Sequence, residues 1–544
     1  MPEKEKIILP PRYYLDYFNY LIEFIEKHSG HLLGEDDIRF IEQYRSLETD
    51  AQCLFIRMLN RKGEFFRLDK LQYPEIEIYG ESLDNLNNLE FITLEDIHYP
   101  EIFGLFTKSE LDRAFPEMGF KEMYKEEVLG TLIEEAEAYH YATLSNQYQI
   151  IRLLKQEQMN YLKFLFFGHN YGMMTEFVIR DVGNVKLENL EKHEFTPWFD
   201  TREEALATFE LANLSRAFRL ATGELLPEEI LAVMSPIQWE IYLQYPRSKK
   251  SADKLLLRIG EYFEKAELAE VALSYYQLSE RHPARERQIR ILEKAGRLEE
   301  AKSVAESAAK KPLNATELLF VSDFLAKKSV RNYRTTTKRI KESPKIEVIP
   351  DPTINVEQLA CQYFIDQGYE AIHSENYLWR GLFGLVFWDV IFDENQDSFH
   401  HPLQRQPSDL FDEHFYERRL KSLESVQNKY ATKSTLKKTI LKRYQEKEGI
   451  ANPLVSWHES LLPSLEAAIQ RIPTKGLYNV LFEMAKNVKY NSAGFPDLFI
   501  WKEKEYHFYE IKSPNDHLSA QQLFWIDFMQ RNKIKAEVLR LIYV

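Results

Sequence analysis

Two short apolar runs near the C-terminus constrain the fold of this chain more than any other feature. The runs are residues 498–501 and 506–512, and four charged residues join them. Apolar runs of this length around a short polar turn indicate a β-hairpin. Side chains alternate along a strand, so Glu510 and Lys512 share one face. Asp497 lies where the first strand begins, so the hairpin brings two carboxylates and an ammonium group together.

Metal-assisted hydrolysis of a phosphodiester uses this set of groups. Mg²⁺ prefers carboxylate oxygens and keeps several waters, so its site needs few protein ligands. We predict Asp497 and Glu510 as metal ligands and Lys512 as the group that aligns the attacking water. The alternative is that these residues have no catalytic role: Asp497 would open a turn, and Glu510 and Lys512 would lie on a solvated strand edge. The apolar residues around the charges favour catalysis, because charges on buried strands have a cost that function often explains.

Longer motifs around these residues resemble a known family. They are Gly494-Phe495-Pro496-Asp497-Leu498, the stretch Tyr-Glu-Ile-Lys-Ser-Pro-Asn-Asp-His-Leu-Ser at 509–519, and Gln-Gln-Leu-Phe-Trp at 521–525. They resemble the VRR-NUC branch of the PD-(D/E)XK nucleases, and in particular the Fanconi-anaemia-associated nuclease family, which has bacterial members. The resemblance implies an α/β nuclease domain over residues 349–544, with a mixed sheet flanked by helices, in a multidomain and otherwise mostly helical chain.

The resemblance also implies further metal ligands. His373-Ser374-Glu375, followed by Leu-Phe-Gly-Leu at 382–385 and Trp-Asp at 388–389, is similar to the family's helical glutamate motif. Glu375 is therefore expected to bind a second ion or a metal water, and the Ile511 carbonyl is expected to join the metal site. Ser374 is typical of a helix N-cap, and the helix dipole alone would also explain a first-turn Glu. Asp389 is the competing acid, expected instead to be a buried hydrogen-bonding residue.

Charge and cysteine content limit the other classes of function. The net charge of −15 argues against a protein that coats DNA non-specifically, but local basic clusters still permit a nuclease. Only Cys53 and Cys361 are present, which supports neither disulfides nor a Cys-based zinc site and favours a reducing compartment. No apolar leader or long apolar run indicates export or membrane insertion. We expect a cytoplasmic, nucleoid-associated bacterial protein without the ubiquitin-binding zinc finger of eukaryotic relatives.

Three regions are expected before the nuclease domain. Residues 1–100 combine helices with a short basic hairpin and predict a winged-helix-like region, a module that binds DNA in many proteins and protein in others. Residues 101–145 resemble the SAP fold, a small DNA-binding motif of two helices around a turn.

Residues 146–348 predict a helical domain, in which the similarity of 266–271 to 296–301 indicates tetratricopeptide-like hairpins. Peptide binding is the alternative role of such repeats. Residues 177–183 also resemble a segment of the same family.

Three basic clusters, at 281–290, 327–345 and 431–443, predict local contacts with phosphate, although one such run alone is usually a solvated helix face. The family resemblance implies a pocket for a 5′ terminal phosphate between the repeats and the nuclease domain. Its candidate residues are Arg285, Arg287, Arg290 and Lys489. Gln521 stands where some relatives carry lysine. Gln522 is expected either to bond a phosphate or metal water, or to satisfy nearby backbone.

Together these features predict a Mg²⁺- or Mn²⁺-dependent, structure-specific DNA nuclease. The resemblance implies that it cuts 5′-flap and branched DNA, has 5′-to-3′ exonuclease activity and repairs interstrand crosslinks, so crosslinked DNA is a further expected partner. One alternative is a non-catalytic helical-repeat adaptor that binds DNA. Another is a resolvase that cuts four-way junctions with the same site. The intact set of Asp497, Glu510 and Lys512 argues against the adaptor.

Overall fold

The structure is a computed structural model that describes residues 9–95, 97–183, 185–190, 193–326, 335–351 and 353–544. Contacts between residues divide the chain into two units. The first unit is Met1–Asn184 with Pro197–Asn213, and the second is Val185–Thr196 with Leu214–Val544. The four regions predicted from the sequence subdivide these units more finely, and their boundaries stay predictions.

The first unit consists of short helices around a small sheet. Its elements, in chain order, are α1 (Tyr13–Ser29), α2 (Glu35–Ser46), α3 (Thr49–Leu59), β1 (Phe65–Arg67), α4 (Tyr79–Asn88), β2 (Ile92–Thr93), α5 (Lys108–Ala114), α6 (Lys125–Glu134), α7 (Ala138–Gln147), β3 (Ile150–Leu153), α8 (Gln156–Phe167) and α9 (Thr175–Asp181). The central strand β3 pairs antiparallel with β1 and β2. The boundary between the units falls within α10 (Arg202–Ala221).

Two segments singled out in the sequence have clear places in this unit. Gly119 has a φ of +66° between α5 and α6, so the glycine permits the turn expected of the SAP-like region. The segment at 177–183 forms most of α9. Phe177 stacks on Tyr17 of α1 with ring centroids 5.1 Å apart, and the Tyr17 hydroxyl donates to Asp181 at 2.5 Å. This segment therefore fastens α9 to α1.

The second unit begins with a series of helices. They are α11 (Pro227–Met234), α12 (Glu240–Leu243), α13 (Pro246–Lys265), α14 (Ala269–Leu278), α15 (Ala284–Lys294), α16 (Leu298–Lys310), α17 (Ala315–Leu325) and α18 (Thr335–Glu342). The predicted repeats at 266–271 and 296–301 contain the turns of the helix pairs α13–α14 and α15–α16. Small residues permit close packing, because a Cβ on Gly260 would lie 2.6 Å from a ring carbon of Tyr276.

A five-stranded mixed sheet follows in the same unit. The remaining elements are β4 (Lys345–Val348), α19 (Val356–Asp366), β5 (Glu370–His373), α20 (Glu375–Val386), α21 (Trp388–Ile391), α22 (Phe415–Lys429), α23 (Lys433–Lys447), α24 (Leu461–Arg471), α25 (Thr474–Lys486), α26 (Val488–Asn491), β6 (Leu498–Lys502), β7 (Glu505–Lys512), α27 (Ala520–Arg531) and β8 (Ala536–Tyr543). The strand order is β4-β8-β7-β6-β5. Strands β5, β6 and β7 pair antiparallel, whereas β8 runs parallel to β7 and β4.

The two faces of this sheet pack into different cores. Ile500 and Ile511 point into a small core that includes Phe364 of α19. Phe499 and Phe508 point to the opposite face, into a large core built on α20 and the helices after it. Alternation along β7 therefore places Glu510 and Lys512 on the face of Phe508. The predicted hairpin is confirmed, and its charged residues lie where the large core ends.

The prediction that Asp389 is a buried residue is wrong. Trp388 and Val390 are buried, but the side chain of Asp389 between them is 71% exposed and pairs with Arg443. Arg443 itself is buried, and it donates to the carbonyls of Leu385 at 2.7 Å and Val386 at the end of α20. The apolar run contains a break between α20 and α21, so the helical periodicity assumed from the sequence does not continue through Asp389.

A buried arginine provides a test of this core. Arg419 is fully buried, donates to the Val390 carbonyl at 3.0 Å and pairs with Asp409. Removing one partner of a buried ion pair leaves an uncompensated charge, which costs about 3–5 kcal/mol. We expect Asp409→Ala to lower the free energy of unfolding by about 3 kcal/mol, measured by tryptophan fluorescence in denaturant. Asp397→Ala is the control, because Asp397 is exposed, and an equal loss in both variants would contradict the role of the pair.

Candidate active site

Two charged side chains of β7 are almost completely withdrawn from water. Glu510 is fully buried and Lys512 is 7% exposed. Lys512 Nζ lies 2.7 Å from Glu510 Oε1, which makes a close ion pair on one face of the strand. The predicted alternation on β7 therefore gives the expected pairing of carboxylate and ammonium.

The loop before β6 is held rigidly next to this pair. Gly494 has a φ of +84°, and a Cβ there would lie 2.7 Å from the side chain of Gln521. Phe495 stacks between two buried tryptophans, with ring centroids 5.5 Å from Trp379 and 4.3 Å from Trp525. Aromatic stacking in a close-packed core leaves the loop little freedom, so the position of Asp497 is well defined.

Backbone N–H groups bond to both the side-chain carboxylate and the backbone carbonyl of Asp497. Its carboxylate Oδ2 accepts from the backbone N–H of Ile511 on β7 at 2.9 Å. Its carbonyl accepts from the backbone N–H groups of Ser374 at 2.7 Å and Glu375 at 3.0 Å. These bonds join β6, β7 and the start of α20 at one point. The structure thus brings Asp497, Glu510 and Lys512 together, as the sequence predicts.

Burial disfavours the ionised forms of both Asp497 and Glu510. Burial raises the pKa of Asp497 to about 6, against the opposing effects of the Ile511 N–H and the charge of Lys512. Burial and the neighbouring Asp497 raise the pKa of Glu510 well above its usual range, although Lys512 opposes this shift. A positive charge bound between the carboxylates would offset the free-energy cost of ionising them, because an opposite charge favours the ionised form.

The residues present fit a divalent cation. Lys512 is close to Glu510 in distance, yet neither buried carboxylate oxygen of Glu510 has a hydrogen-bond donor in suitable geometry. A buried acid with unbonded oxygens, next to a second buried acid, is the oxygen-rich set that Mg²⁺ or Mn²⁺ binds. The role predicted for the Ile511 carbonyl remains a prediction.

The predicted third ligand, Glu375, lies beside this group without joining it. Its side chain is 53% exposed, with Oε2 4.0 Å from His373 Nε2, and Oε1 accepts from Asn376 at 2.9 Å. Within the described residues, no three His, Cys, Asp or Glu side chains form a metal-binding group. Glu375 has a φ of +27°, an uncommon conformation for a residue with a side chain. Its proposed role remains a prediction.

The residue before Glu375 was expected to cap the helix. Helix α20 does begin at Glu375, but Ser374 makes no capping hydrogen bond from its side chain. Its hydroxyl instead donates to the Asp497 carbonyl at 3.4 Å. Ser374 therefore occupies the predicted N-cap position and Glu375 lies in the first turn, but the Ser374 hydroxyl bonds to the loop that carries Asp497 instead of capping the helix.

Sequence reasoning missed Glu357, and it quoted His373 as part of a motif without giving that residue a role near Asp497. Glu357 in the first turn of α19 raises the pKa of Asp497, and His373 of β5 lowers it, although burial has the largest effect. Glu357 is more than a hundred residues from Asp497 in the sequence, so only the folded sheet reveals their proximity.

Gln522 has a clear local role. Its side-chain oxygen accepts from the backbone N–H of Ser519 at 2.9 Å, and Ser519 caps the helix in return. This capping box at the start of α27 agrees with the alternative in which Gln522 satisfies nearby backbone groups. Contact of Gln522 with a phosphate or metal water remains a prediction.

Each of the three candidate arginines is paired with an acid inside the helical region. These pairs reduce the charge that the arginines present to a ligand. The pairs are Arg285 with the fully buried Glu317 at 2.6 Å, Arg287 with Glu264, and Arg290 with Glu286 at 2.7 Å.

Lys489 is placed differently, because its neighbours are cations. Burial, Arg281 and Lys254 all lower the pKa of Lys489. Within the described part of the chain, none of these three side chains pairs with a carboxylate. Lys489 Nζ lies 4.9 Å from the Tyr490 ring, and that ring lies 6.4 Å from His282, next to Arg281. Sequence reasoning placed Arg281 in the basic cluster at 281–290 without making it a pocket candidate, and it overlooked Lys254.

Of the other two basic clusters, the one at 431–443 is less available than predicted. Of the cluster at 327–345, residues 327–334 lie outside the described residues. In the cluster at 431–443, Lys438 is exposed and unpaired among the described side chains. The other members are engaged: Lys433 with the Gln470 carbonyl at 2.7 Å, Lys437 with Glu466 at 3.1 Å, Lys442 with Glu446 at 3.7 Å, and Arg443 with Asp389.

Comparison with known proteins matches both ends of the chain. Residues 12–93 match the family model "FAN1, HTH domain", and residues 431–541 match "VRR-NUC domain". A curated relative, the Fanconi-associated nuclease 1 homolog of Pseudomonas aeruginosa, is 28% identical over 99% of this chain and 97% of its own length. The human Fanconi-associated nuclease 1 is 32% identical over 36% of this chain and 20% of its own length.

A solved structure is similar along the whole chain. The crystal structure of paFAN1 bound to 2-nucleotide 5′-flap DNA with a gap has a TM-score of 0.87 and 26% identity, and covers 99% of both chains. The mixed sheet is therefore that of a PD-(D/E)XK nuclease fold of the VRR-NUC type. The chain belongs to the Fanconi-associated nuclease family, as the motifs around Asp497 predict, and is similar throughout to a bacterial member.

No helix in the described ranges has both the length and the apolar composition needed to cross a bilayer.

The raised pKa of Asp497 predicts a pH-dependent stability of the metal-free protein. The folded state holds a proton on Asp497 up to about pH 6, whereas the unfolded chain releases it near pH 4, so stability falls as pH rises between these values. We expect Asp497→Asn to raise the free energy of unfolding in EDTA by roughly 2–3 kcal/mol at about pH 8 and by about half as much at about pH 5. Denaturant unfolding at both pH values measures this difference.

The exposed Asp366 of α19 provides the control, and Asp366→Asn should leave the pH dependence unchanged. A destabilised Asp497→Asn protein at high pH would show that the carboxylate is favourable to the fold and would contradict the pH argument.

Proposed function

We propose that this protein is a Mg²⁺- or Mn²⁺-dependent, structure-specific DNA nuclease. Its substrates are 5′ flaps and related branched DNA, it degrades DNA ends in the 5′-to-3′ direction, and it acts in the repair of interstrand crosslinks. The observation that carries the proposal is the buried pair of acids, Asp497 and Glu510, beside Lys512 on the VRR-NUC sheet. Membership of the family and the likeness to paFAN1 bound to 5′-flap DNA support DNA as the partner.

The side chains have separate roles in this proposal. Asp497, Glu510 and the Ile511 carbonyl would hold a divalent ion, and Glu375 at the start of α20 would bind a second ion or a metal water. When bound, a divalent ion supplies Lewis-acid stabilisation of the charge that develops on the phosphate. Lys512, held against Glu510, orients the attacking water towards phosphorus with a donor that needs no rearrangement. Cleavage of the bond from phosphorus to the 3′ oxygen leaves a 5′ phosphate.

Recognition should depend on the DNA backbone and its ends. The chain carries a net charge of −15, so attraction to phosphate has to come from local groups such as Lys489, Arg281 and Lys254. Three neighbouring cations that form no ion pair with a carboxylate among the described residues favour a bound anion, and a 5′ terminal phosphate is the anion we propose. Contacts of this type carry no base sequence information and weaken as salt increases.

The first test is cleavage of a labelled 5′-flap duplex in Mg²⁺ or Mn²⁺, with a 3′-flap duplex beside it. Asp497→Asn and Lys512→Met should each lower the cleavage rate by roughly 10²-fold or more, because each removes an electrostatic group at the reacting phosphate. Gel-shift binding of the same flap in EDTA should be retained in Asp497→Asn. Asp366→Asn serves as the matched surface control. Tight binding by the wild-type protein without cutting in either metal would favour the adaptor and would exclude the nuclease.

A second test addresses the 5′ phosphate. Lys489→Met should weaken binding to a 5′-phosphorylated end and reduce the salt dependence of binding by about one phosphate contact. The preference for a 5′ phosphate over a 5′ hydroxyl should also fall. Lys486→Met is the control, because Lys486 is a nearby exposed lysine that pairs with Glu483 at 2.7 Å. Equal effects of both variants, or an unchanged preference in Lys489→Met, would remove Lys489 from the proposed pocket.

A further inference from the structure

A pocket of about 400 Å³ lies within the first unit, away from the acidic site in the sequence. The apolar part of its lining consists of Leu68, Leu71, Tyr79 and Tyr148. Leu71 is fully buried, whereas both tyrosines are half-buried. The volume falls within the range of small-ligand sites, which combine apolar walls with a few polar groups.

The aromatic walls of this pocket are fixed by their neighbours. The Arg67 guanidinium lies 4.2 Å from the centre of the Tyr148 ring, and Phe106 packs against the ring edge at 5.1 Å. The hydroxyl of Tyr79 accepts from the backbone N–H of Tyr73 at 2.5 Å. Rings held in this way lose little entropy when a flat ligand stacks on them.

The polar lining suits a heteroaromatic ring better than a phosphate. Asp69 and three exposed glutamines, Gln72, Gln147 and Gln149, lie around the apolar walls. Amide groups donate and accept hydrogen bonds, which matches the mixed edge of a nucleobase. The lining contains no lysine or arginine, and Asp69 is occupied by Arg67 at 2.8 Å. A phosphate inside the pocket would therefore meet a carboxylate without a free cation.

Two exposed lysines lie close in the sequence to residues that line the pocket. Lys70 follows Asp69, and its Nζ lies 3.9 Å from the Asp69 carboxylate with a side chain that is 59% exposed. Lys62 is exposed in the turn before β1. Basic groups next to an aromatic slot are the combination by which proteins hold single strands, with backbone phosphates outside and bases stacked inside.

We propose that this pocket binds one unpaired nucleobase of a DNA single strand, with the adjoining phosphates next to Lys70 and Lys62. The ligand class rests on the proposed function, since it takes DNA as the substrate. Single-stranded DNA is favoured over a free nucleotide because the cations lie outside the pocket, where neighbouring phosphates of a continuous strand would pass. Through this pocket the protein would bind a flap or displaced strand, and this binding would not depend on the acidic site.

Photo-crosslinking tests this proposal in the full-length protein. An oligothymidine of about twelve nucleotides with one central 5-iodouracil is bound in EDTA and irradiated, and the crosslinked peptides are identified by mass spectrometry. Crosslinks should map to Tyr79 or Tyr148. Gln72→Trp should fill the pocket and lower the yield of this crosslink about tenfold, as expected for loss of one stacked base. Asn88→Trp adds the same ring at an exposed position outside the pocket and should leave the yield unchanged.

A second variant, Gln147→Trp, fills the pocket from the end of α7 and should reproduce the effect if Gln72→Trp fails to fold. Thymidine monophosphate at the concentration of the oligonucleotide should not compete. Crosslinks confined to other peptides, equal loss in Asn88→Trp, or full competition by the mononucleotide would overturn the proposal. Cleavage of the 5′-flap duplex in Mg²⁺ is measured separately with the same proteins. Loss of cleavage with intact crosslinking would show that the proposed nuclease function has failed. Cleavage without the crosslink would show that the proposed base pocket has failed.

Discussion

The burial of two carboxylates and one ammonium group at the end of a β-hairpin is the constraint on which the second unit depends. Glu510 is fully buried beside Asp497, and burial and this second acid raise its pKa despite the neighbouring Lys512, so the fold bears an electrostatic cost at this point. Such a cost is offset only if the surroundings prevent the side chains from turning towards water. The large core on one face of the sheet and the smaller core on the other provide this restraint.

Restraint of the backbone and reactivity of the side chains are linked here through Asp497. Its carbonyl joins the start of α20 to β6, and its carboxylate is aligned by the N–H of Ile511. The stacked rings around Phe495 hold the preceding loop in place. In the proposed function, this fixed arrangement would bind a divalent ion without a large rearrangement, as effective electrostatic catalysis requires. The same arrangement makes the metal-free site unfavourable at neutral pH.

Local patterns predicted the local structure correctly. The alternation on β7 gave the shared face of Glu510 and Lys512, and the longer motifs around Asp497 identified the family. The arginine candidates could not be evaluated in this way, because the acids that pair with Arg285 and Arg287 come from other helices, at Glu317 and Glu264. Spacing within one segment does not reveal a partner that only the packing of helix on helix supplies.

The same limit explains the remaining differences. Asp389 was expected inside an apolar helix, but a break after α20 turns it outward to Arg443. The proximity of Glu357 and His373 to Asp497 depends on the packing of α19 and the pairing of β5, respectively. The cluster of Lys489, Arg281 and Lys254 likewise combines three separate segments. Residues that act within one strand or turn were predictable, whereas those that meet through tertiary packing were not.

The most direct measurement is calorimetric titration of Mn²⁺ into the wild-type protein and into Glu510→Gln, in two buffers of different ionisation enthalpy. Binding to the wild type should release protons near pH 6, because the metal displaces protons that burial keeps on Asp497 and Glu510. The Glu510→Gln protein should bind Mn²⁺ much more weakly and release fewer protons. Equal affinity and equal proton release in the two proteins would contradict the placement of the metal between these acids.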